Sequence, residues 1–129
     1  MHLNVQKINP IFEIQHQFIE AYPFLKLEFF RFPQRKQPLS ENVVIKPVND
    51  IKYFDAYYCN WKINITKTRT LQQVETDLEL LFGLYALIYR KAGTQWIATG
   101  MMSDYTLQQQ NEEGRKQTDK LLNKRKLAA

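Results

Sequence analysis

Three small groups of side chains in this 129-residue chain have the types and spacing that could do chemistry. His16 sits in "EIQHQFIE" with Glu13 and Glu20 at helical spacing, a cluster able to shift a pKa or hold a weakly bound cation. No third ligand completes a metal set there, so a solvated helix face is the expected role. Glu75, Asp77 and Glu79 form the second group, and Glu75 and Glu79 share one helical face. Paired carboxylates act as acid and base only where burial drives their pKa values apart, and these are expected to face water. Cys59 is the third. It has no histidine near it in sequence, and strand alternation directs it to the core beside Trp61 and Ile63, where a thiol is inert. A lone cysteine also excludes an internal disulfide and a multi-cysteine metal cage. The four glycines, Gly83, Gly93, Gly100 and Gly114, never fall within six residues of one another, so no phosphate-cradling loop exists. No catalytic, metal or cofactor-binding residue is assigned, and no cofactor is expected.

Two surfaces remain as candidates for contact with a partner. The formal charge of +5 comes wholly from the C-terminus. Residues 1–114 hold twelve basic and twelve acidic side chains, whereas "RKQTDKLLNKRKLAA" holds six basic residues and one acid. Arg115, Lys116, Lys120, Lys124, Arg125 and Lys126 could neutralise several phosphates, with affinity that falls steeply with salt. A solvated, functionally silent end is the plainer expectation. The second surface is a sheet face. Strand alternation predicts that Asn4, Gln6, Lys62, Asn64 and Thr66 line it, joined by Tyr85 and Tyr89 opposite Leu84, Ala86 and Ile88. Aromatics mixed with polar side chains on an open sheet can stack bases, or can pack against a second copy.

The elements that must position these groups follow from an internal repeat. Residues 4–31 align with 64–91 without a gap. Ile11, Ile14, Phe18 and Tyr22 meet Leu71, Val74, Leu78 and Phe82, steps of 3, 4 and 4 that mark one apolar helix face in both halves. Asn4 meets Asn64, Val5 meets Ile65, and Leu27, Phe29 and Arg31 meet Leu87, Tyr89 and Lys91. Each unit therefore reads strand, helix, strand. Asn9 is expected to cap the first helix with Pro10 in its first turn. "TLQQ" (70–73) offers a capping box for the second, and Gly83 a left-handed stop. Pro23 stands opposite Gly83 and cannot take that conformation, so the two corners must differ.

"TLQQ" recurs at 106–109 and predicts a third helix from Thr106, which Gly114 should weaken or bend. A strand near Gln95–Thr99 joins 84–91 through a turn at "KAGT". Residues 32–42 read as a Pro-containing loop, Val43–Ile45 as an edge strand, and Tyr57–Ile65 as a half-buried strand. The expected fold is α+β. A duplicated β-α-β unit builds a ferredoxin-like antiparallel sheet with helices on one face, extended by a C-terminal hairpin strand and helix. Two right-handed crossovers in a mixed sheet are the alternative. A single compact domain over 1–114 and a basic tail over 115–129 are expected.

The runs "WIATGMMSDYTLQQQNEEG", "FGLYALIYRKAG" and "AYPFLKLEFF" resemble a family of small uncharacterised bacterial proteins, mostly of the Bacteroidetes group. The match rests on Arg90, Lys91, Gly93, Trp96, Asp104, Thr106, Leu107, Gln110, Asn111 and Gly114, with Ala92 and Tyr105 as departures from the usual Ser and Trp. The resemblance implies one compact domain and no assigned activity.

Composition adds a setting. No apolar run reaches the ~20 residues that cross a bilayer, and "MHLNVQKINP" has no secretory leader, so a cytoplasmic location without a membrane partner is expected. The function expected is that of a non-catalytic interaction module, self-associating through a sheet edge or open sheet face. Nucleic-acid binding through the basic end and the aromatic sheet face is the alternative.

Overall fold

The computed structural model describes residues 1–6, 8–31, 62–100 and 104–128. The expected loop at 32–42, the edge strand at Val43–Ile45 and the stretch from Tyr57 to Trp61 with Cys59 lie outside them. The described elements are β1 (His2–Asn4), α1 (Pro10–Ala21), β2 (Leu25–Phe30), β3 (Lys62–Asn64), α2 (Leu71–Phe82), β4 (Tyr85–Ala92), β5 (Gln95–Ala98) and α3 (Leu107–Ala128). Strand–helix–strand thus occurs twice. The fold is α+β.

Among the described residues the strands form two antiparallel sheets, β1–β3 and β2–β4–β5, and not a single four-stranded one. β1 pairs with β3 with Leu3 opposite Ile63. β2 pairs with β4 so that Leu27 faces Ile88 and Glu28 faces Leu87. Both registers are centred on positions 60 residues apart, so each strand pairs with its counterpart in the other half. β5 extends β4 through the expected hairpin, where Gly93 holds φ at +69°.

One core joins the two sheets. Leu3 and Ile63 from the small sheet, with Ile65 just after β3, meet Ile11, Ile14 and Phe18 of α1, Leu71, Val74 and Leu78 of α2, and Leu25, Leu27, Phe29, Ala86 and Ile88 of the larger sheet. The helix faces are the ones the 3–4–4 spacing predicts. Tyr22 closes the corner after α1 by donating its hydroxyl to the Ile65 carbonyl at 2.6 Å.

The helix ends separate two kinds of start. Thr70 and Gln73 make the full capping box on α2, and Gly83 ends it at φ +66°. Asn9 makes no side-chain cap on α1 and instead takes a left-handed backbone, φ +48°. A residue before proline is pushed out of the right-handed helical region, and Asn is among the few residues that tolerate this alternative.

The recurrence of "TLQQ" has a structural reason. Thr106 and Gln109 repeat the box on α3, with Gln109 N–H to Thr106 Oγ1 at 3.1 Å and Thr106 N–H to Gln109 Oε1 at 2.9 Å. The two starts also lie against each other: Leu71 N–H donates to the Tyr105 carbonyl at 3.0 Å and Leu107 N–H to the Arg69 carbonyl at 2.9 Å. Each helix start satisfies an otherwise orphaned donor of the other.

α3 continues through Gly114 to Ala128, so the basic C-terminal stretch begins inside this helix. Its Leu107, Gln110, Gly114 and Thr118 form one buried stripe. Arg90, buried on β4, donates to Gln110 Oε1 and to Gln117 Oε1 at 3.1 Å each, and Gly93 N–H donates to Thr118 Oγ1. Gly114 is therefore a point of close approach. A Cβ there would stand 2.9 Å from Cβ of Phe24 and 3.1 Å from its carbonyl oxygen. In an exposed helix, Gly→Ala stabilises by about 1 kcal/mol. Here Gly114→Ala should instead lower unfolding free energy by about 1–3 kcal/mol, because backbone and packed side chains must move. Urea denaturation monitored by circular dichroism reads the sign directly.

Candidate interaction surface

Strand register decides which side chains of the larger sheet stay outside the core. On β2 these are Lys26, Glu28 and Phe30, which stand opposite Tyr89, Leu87 and Tyr85 of β4. Lys91 and Trp96 continue the same face onto β5. The three helices pack against the opposite face, through Leu25, Leu27, Phe29, Ala86, Ile88 and Arg90. The outer face is a lattice of rings and charges. Lys26 Nζ lies 5.5 Å from the ring centre of Tyr89 and 5.1 Å from that of Trp96, and Lys91 Nζ lies 6.0 Å from Trp96. Glu28 pairs with Lys26 at 3.4 Å. Burial, helped by the Glu28 charge, raises the Tyr89 phenol above its usual pKa and keeps it neutral.

The partner-contact residues expected from sequence do not converge. Tyr85 and Tyr89 belong to this face as the alternation predicts. Lys62 and Asn64 are exposed on β3, in the other sheet, because among the described residues β1 and β3 pair with each other and not with β2 or β4. Asn64 is occupied locally: its Oδ1 accepts from the backbone N–H and hydroxyl of Thr66. Arg115, Lys116, Lys120, Lys124 and Arg125 are exposed on α3, and Lys126 lies in its last turn. Arg115 is committed within the helix, to Glu112 at 2.8 Å and Asp119 at 3.4 Å. That pairing raises the Arg115 pKa and lowers that of Glu112. Lys116, Lys120 and Lys124 follow at steps of four as one exposed stripe. Lys26, Lys91 and Trp96 were not selected by sequence reasoning. Their grouping depends on which strands pair, and only the alternation within each strand hinted at it.

The carboxylates with catalytic spacing have another use. His16 pairs with Glu20 at 3.0 Å on an exposed face, as expected, and Asp77 pairs with Arg69 at 2.7 Å. Glu75 and Glu79, expected to face water, turn toward β4. Glu75 Oε2 accepts the Ile88 N–H at 3.0 Å, and Glu79 Oε1 accepts the Ala86 N–H at 3.3 Å. These two donors point away from β2 at a level β5 does not reach. The two carboxylates stand in for a missing strand. In the first half, Gln15, which aligns with Glu75, donates its amide to the outward carbonyl of Leu27 at 2.9 Å. Among the described residues no group of three or more His, Cys, Asp or Glu can hold a metal ion. No described helix is long and apolar enough to cross a membrane.

Comparison with protein-family models, curated proteins and solved structures returns no match to this chain.

Burial raises the Glu75 pKa from 4.5 to about 7, opposed by the Ile88 N–H and aided by Glu79. A folded-state pKa above the unfolded value means the folded state holds the proton more tightly. Stability should then fall as pH rises from about 4.5 to about 7. Glu75→Gln keeps an acceptor for Ile88 and removes the titration. Relative to wild type, its unfolding free energy should climb across that window and level off above it. The gain should be on the order of 1–2 kcal/mol after solvent screening, read from urea melts at pH 4.5, 6 and 8.

Proposed function

We propose that this protein is a non-catalytic interaction module that self-associates through the outer face of β2–β4–β5. The observation that carries this reading is the row Leu87, Tyr89 and Trp96, with Lys26, Glu28 and Lys91 around it, on the side opposite all three helices. Apolar and aromatic side chains on a sheet face gain by leaving water, and such faces mark interaction sites when they are contiguous. The charges suit a two-fold partner, since Glu28 of one copy can meet Lys91 of another. Three strands ~4.8 Å apart, of six, eight and four residues, give a footprint of roughly 300–500 Å² per copy. Stable dimers bury about 800 Å² per partner, so the association is weak and concentration-dependent.

The proposal extends to the origin of the fold. A duplicated β-α-β unit of ferredoxin-like ancestry is supported by the gapless alignment and by the pairing of β1 with β3 and β2 with β4 about equivalent residues.

Nucleic-acid binding is the second reading. It is favoured by lysines held against Tyr89 and Trp96, an arrangement that can stack bases and contact phosphates together, and by the lysine stripe of α3.

Sedimentation velocity in reducing buffer, from ~10 µM to ~1 mM, should show the weight-average mass rising toward a dimer. Leu87→Lys should suppress the rise while leaving the circular dichroism spectrum unchanged. A strict monomer over the whole range would sink the reading. Labelled single-stranded oligonucleotides, titrated at low and near-physiological salt, decide the alternative. The variant to compare is the triple change of Lys116, Lys120 and Lys124 to Gln, because truncation at Gly114 would also remove the bonds of Gln117 with Arg90 and of Thr118 with Gly93 and Lys91. Micromolar binding that survives physiological salt and depends on these lysines would replace self-association as the leading function.

A further inference from the structure

The geometry points to the outer edge of β2, under the flank of α1, as a docking groove for an extended peptide with a basic–apolar–acidic core. The groove lies at the edge of the sheet and shares Lys26 and Glu28 with the outer face, but it does not rest on self-association. Phe24 directs its carbonyl toward β4, where it accepts from Lys91 N–H at 2.9 Å, and the alternation gives Lys26 and Glu28 the same direction. The backbone groups of Leu25, Leu27 and Phe29 therefore point the other way; the Leu25 N–H is taken by the Tyr22 carbonyl at 3.0 Å, and among the described residues no strand pairs with Leu27 and Phe29 on this side. Among the described residues the Leu27 carbonyl is met by the Gln15 amide, a side-chain donor that a peptide N–H can displace. A cavity of about 400 Å³ lies along this edge, roofed by Phe12, Gln15, His16 and Ile19 and floored by Lys26, Leu27 and Glu28. Phe12 is 63% exposed and Ile19 36%, large apolar side chains left over a strand edge.

The other half of the chain shows the occupied form of this edge. There β5 pairs along β4, and Glu75 and Glu79 take the donors that β5 leaves. On β2, among the described residues, no strand and no carboxylate does this, and Gln15 is the side chain that reaches the edge.

Charge and chain direction define the occupant. A strand added antiparallel to β2, with an apolar residue opposite Leu27, places its flanking residues opposite Glu28 and Lys26. Reading from its N-terminus, those residues complement β2 when they are basic and then acidic. The side chain between them points toward Phe12 and Ile19. A second copy of β2 would satisfy the same charges, but it would bring its own α1. Paired strands stand ~4.8 Å apart whereas packed helices need 8–10 Å, and α1 already overhangs this edge to reach Leu27. An extended segment carries no such helix. This is strand addition, in which main-chain bonds supply affinity and alternate side chains supply selection.

The test uses a fluorescein-labelled octapeptide with the core valine–lysine–valine–glutamate–valine, titrated with the full chain by anisotropy. Saturable binding on the order of 100 µM is expected. The peptide with lysine and glutamate exchanged should bind about fivefold more weakly. N-methylation of the central valine should abolish binding. Phe12→Asp, at an exposed position, should weaken binding by about tenfold with an unchanged circular dichroism spectrum. Gln15→Ala should strengthen it, because the amide no longer competes for Leu27. No saturable binding up to ~1 mM, or binding indifferent to Phe12→Asp, overturns the assignment. So does sedimentation showing that Phe12→Asp converts a dimer to monomer and that the peptide does the same, which would give the groove to a second copy.

Discussion

The antiparallel ladder between β2 and β4 has six residue pairs, and its register sends every second side chain to the core. Leu25, Leu27, Phe29, Ala86 and Ile88 go under the helices, while Lys26, Glu28, Phe30, Leu87 and Tyr89 go outside. A slip of one residue would reverse both sets, burying two charges and exposing the main apolar contacts of α1 and α2. Full burial of each of those side chains contributes about 1.5–3 kcal/mol, so the register has no close competitor. The outer lattice of rings and lysines is a consequence of the same register. So is the direction of the β2 edge.

A sheet this small leaves backbone groups without strand partners, and side chains supply them. Glu75 and Glu79 take two donors of β4, Gln15 takes one acceptor of β2, and Thr99 donates its hydroxyl to the Ile88 carbonyl. The helix starts do likewise for each other through Leu71 and Leu107. These bonds explain why polar residues occur on helix faces that would otherwise be expected to meet water. They also separate the two halves. The β4 side is closed by carboxylates and a fifth strand; on the β2 side, among the described residues, the Gln15 amide meets the Leu27 carbonyl and the Tyr22 carbonyl meets the Leu25 N–H.

Much of the plan was legible in the chain. The 3–4–4 spacings placed both helical core faces, the Thr–Gln boxes placed two helix starts, and Gly83 and Gly93 marked a stop and a turn, all by local rules acting within a few residues. Charge counting gave a basic tail over 115–129, and the structure has that stretch, as far as Ala128, within α3. Reasoning of this kind failed where a residue answers to a distant element. Gly114 reads as a weak point in an isolated helix, and becomes a requirement once Phe24 and Arg90 cross it. Glu75 and Glu79 read as solvated until β4 lies beside them.

By itself, then, the sequence determined the order of elements, the buried stripe of each helix, the helix starts and the alternation within each strand. These depend on φ, ψ preferences and on periods of 3.6 and 2 that any one segment carries alone. Tertiary structure alone decided that β1 pairs with β3 and β2 with β4. That choice divides Lys62 and Asn64 from Tyr85 and Tyr89, and gathers Lys26, Lys91 and Trp96 onto one face. Backbone hydrogen bonds are the same for every residue, so pairing between strands far apart in sequence is selected by the fit of whole faces around a shared core.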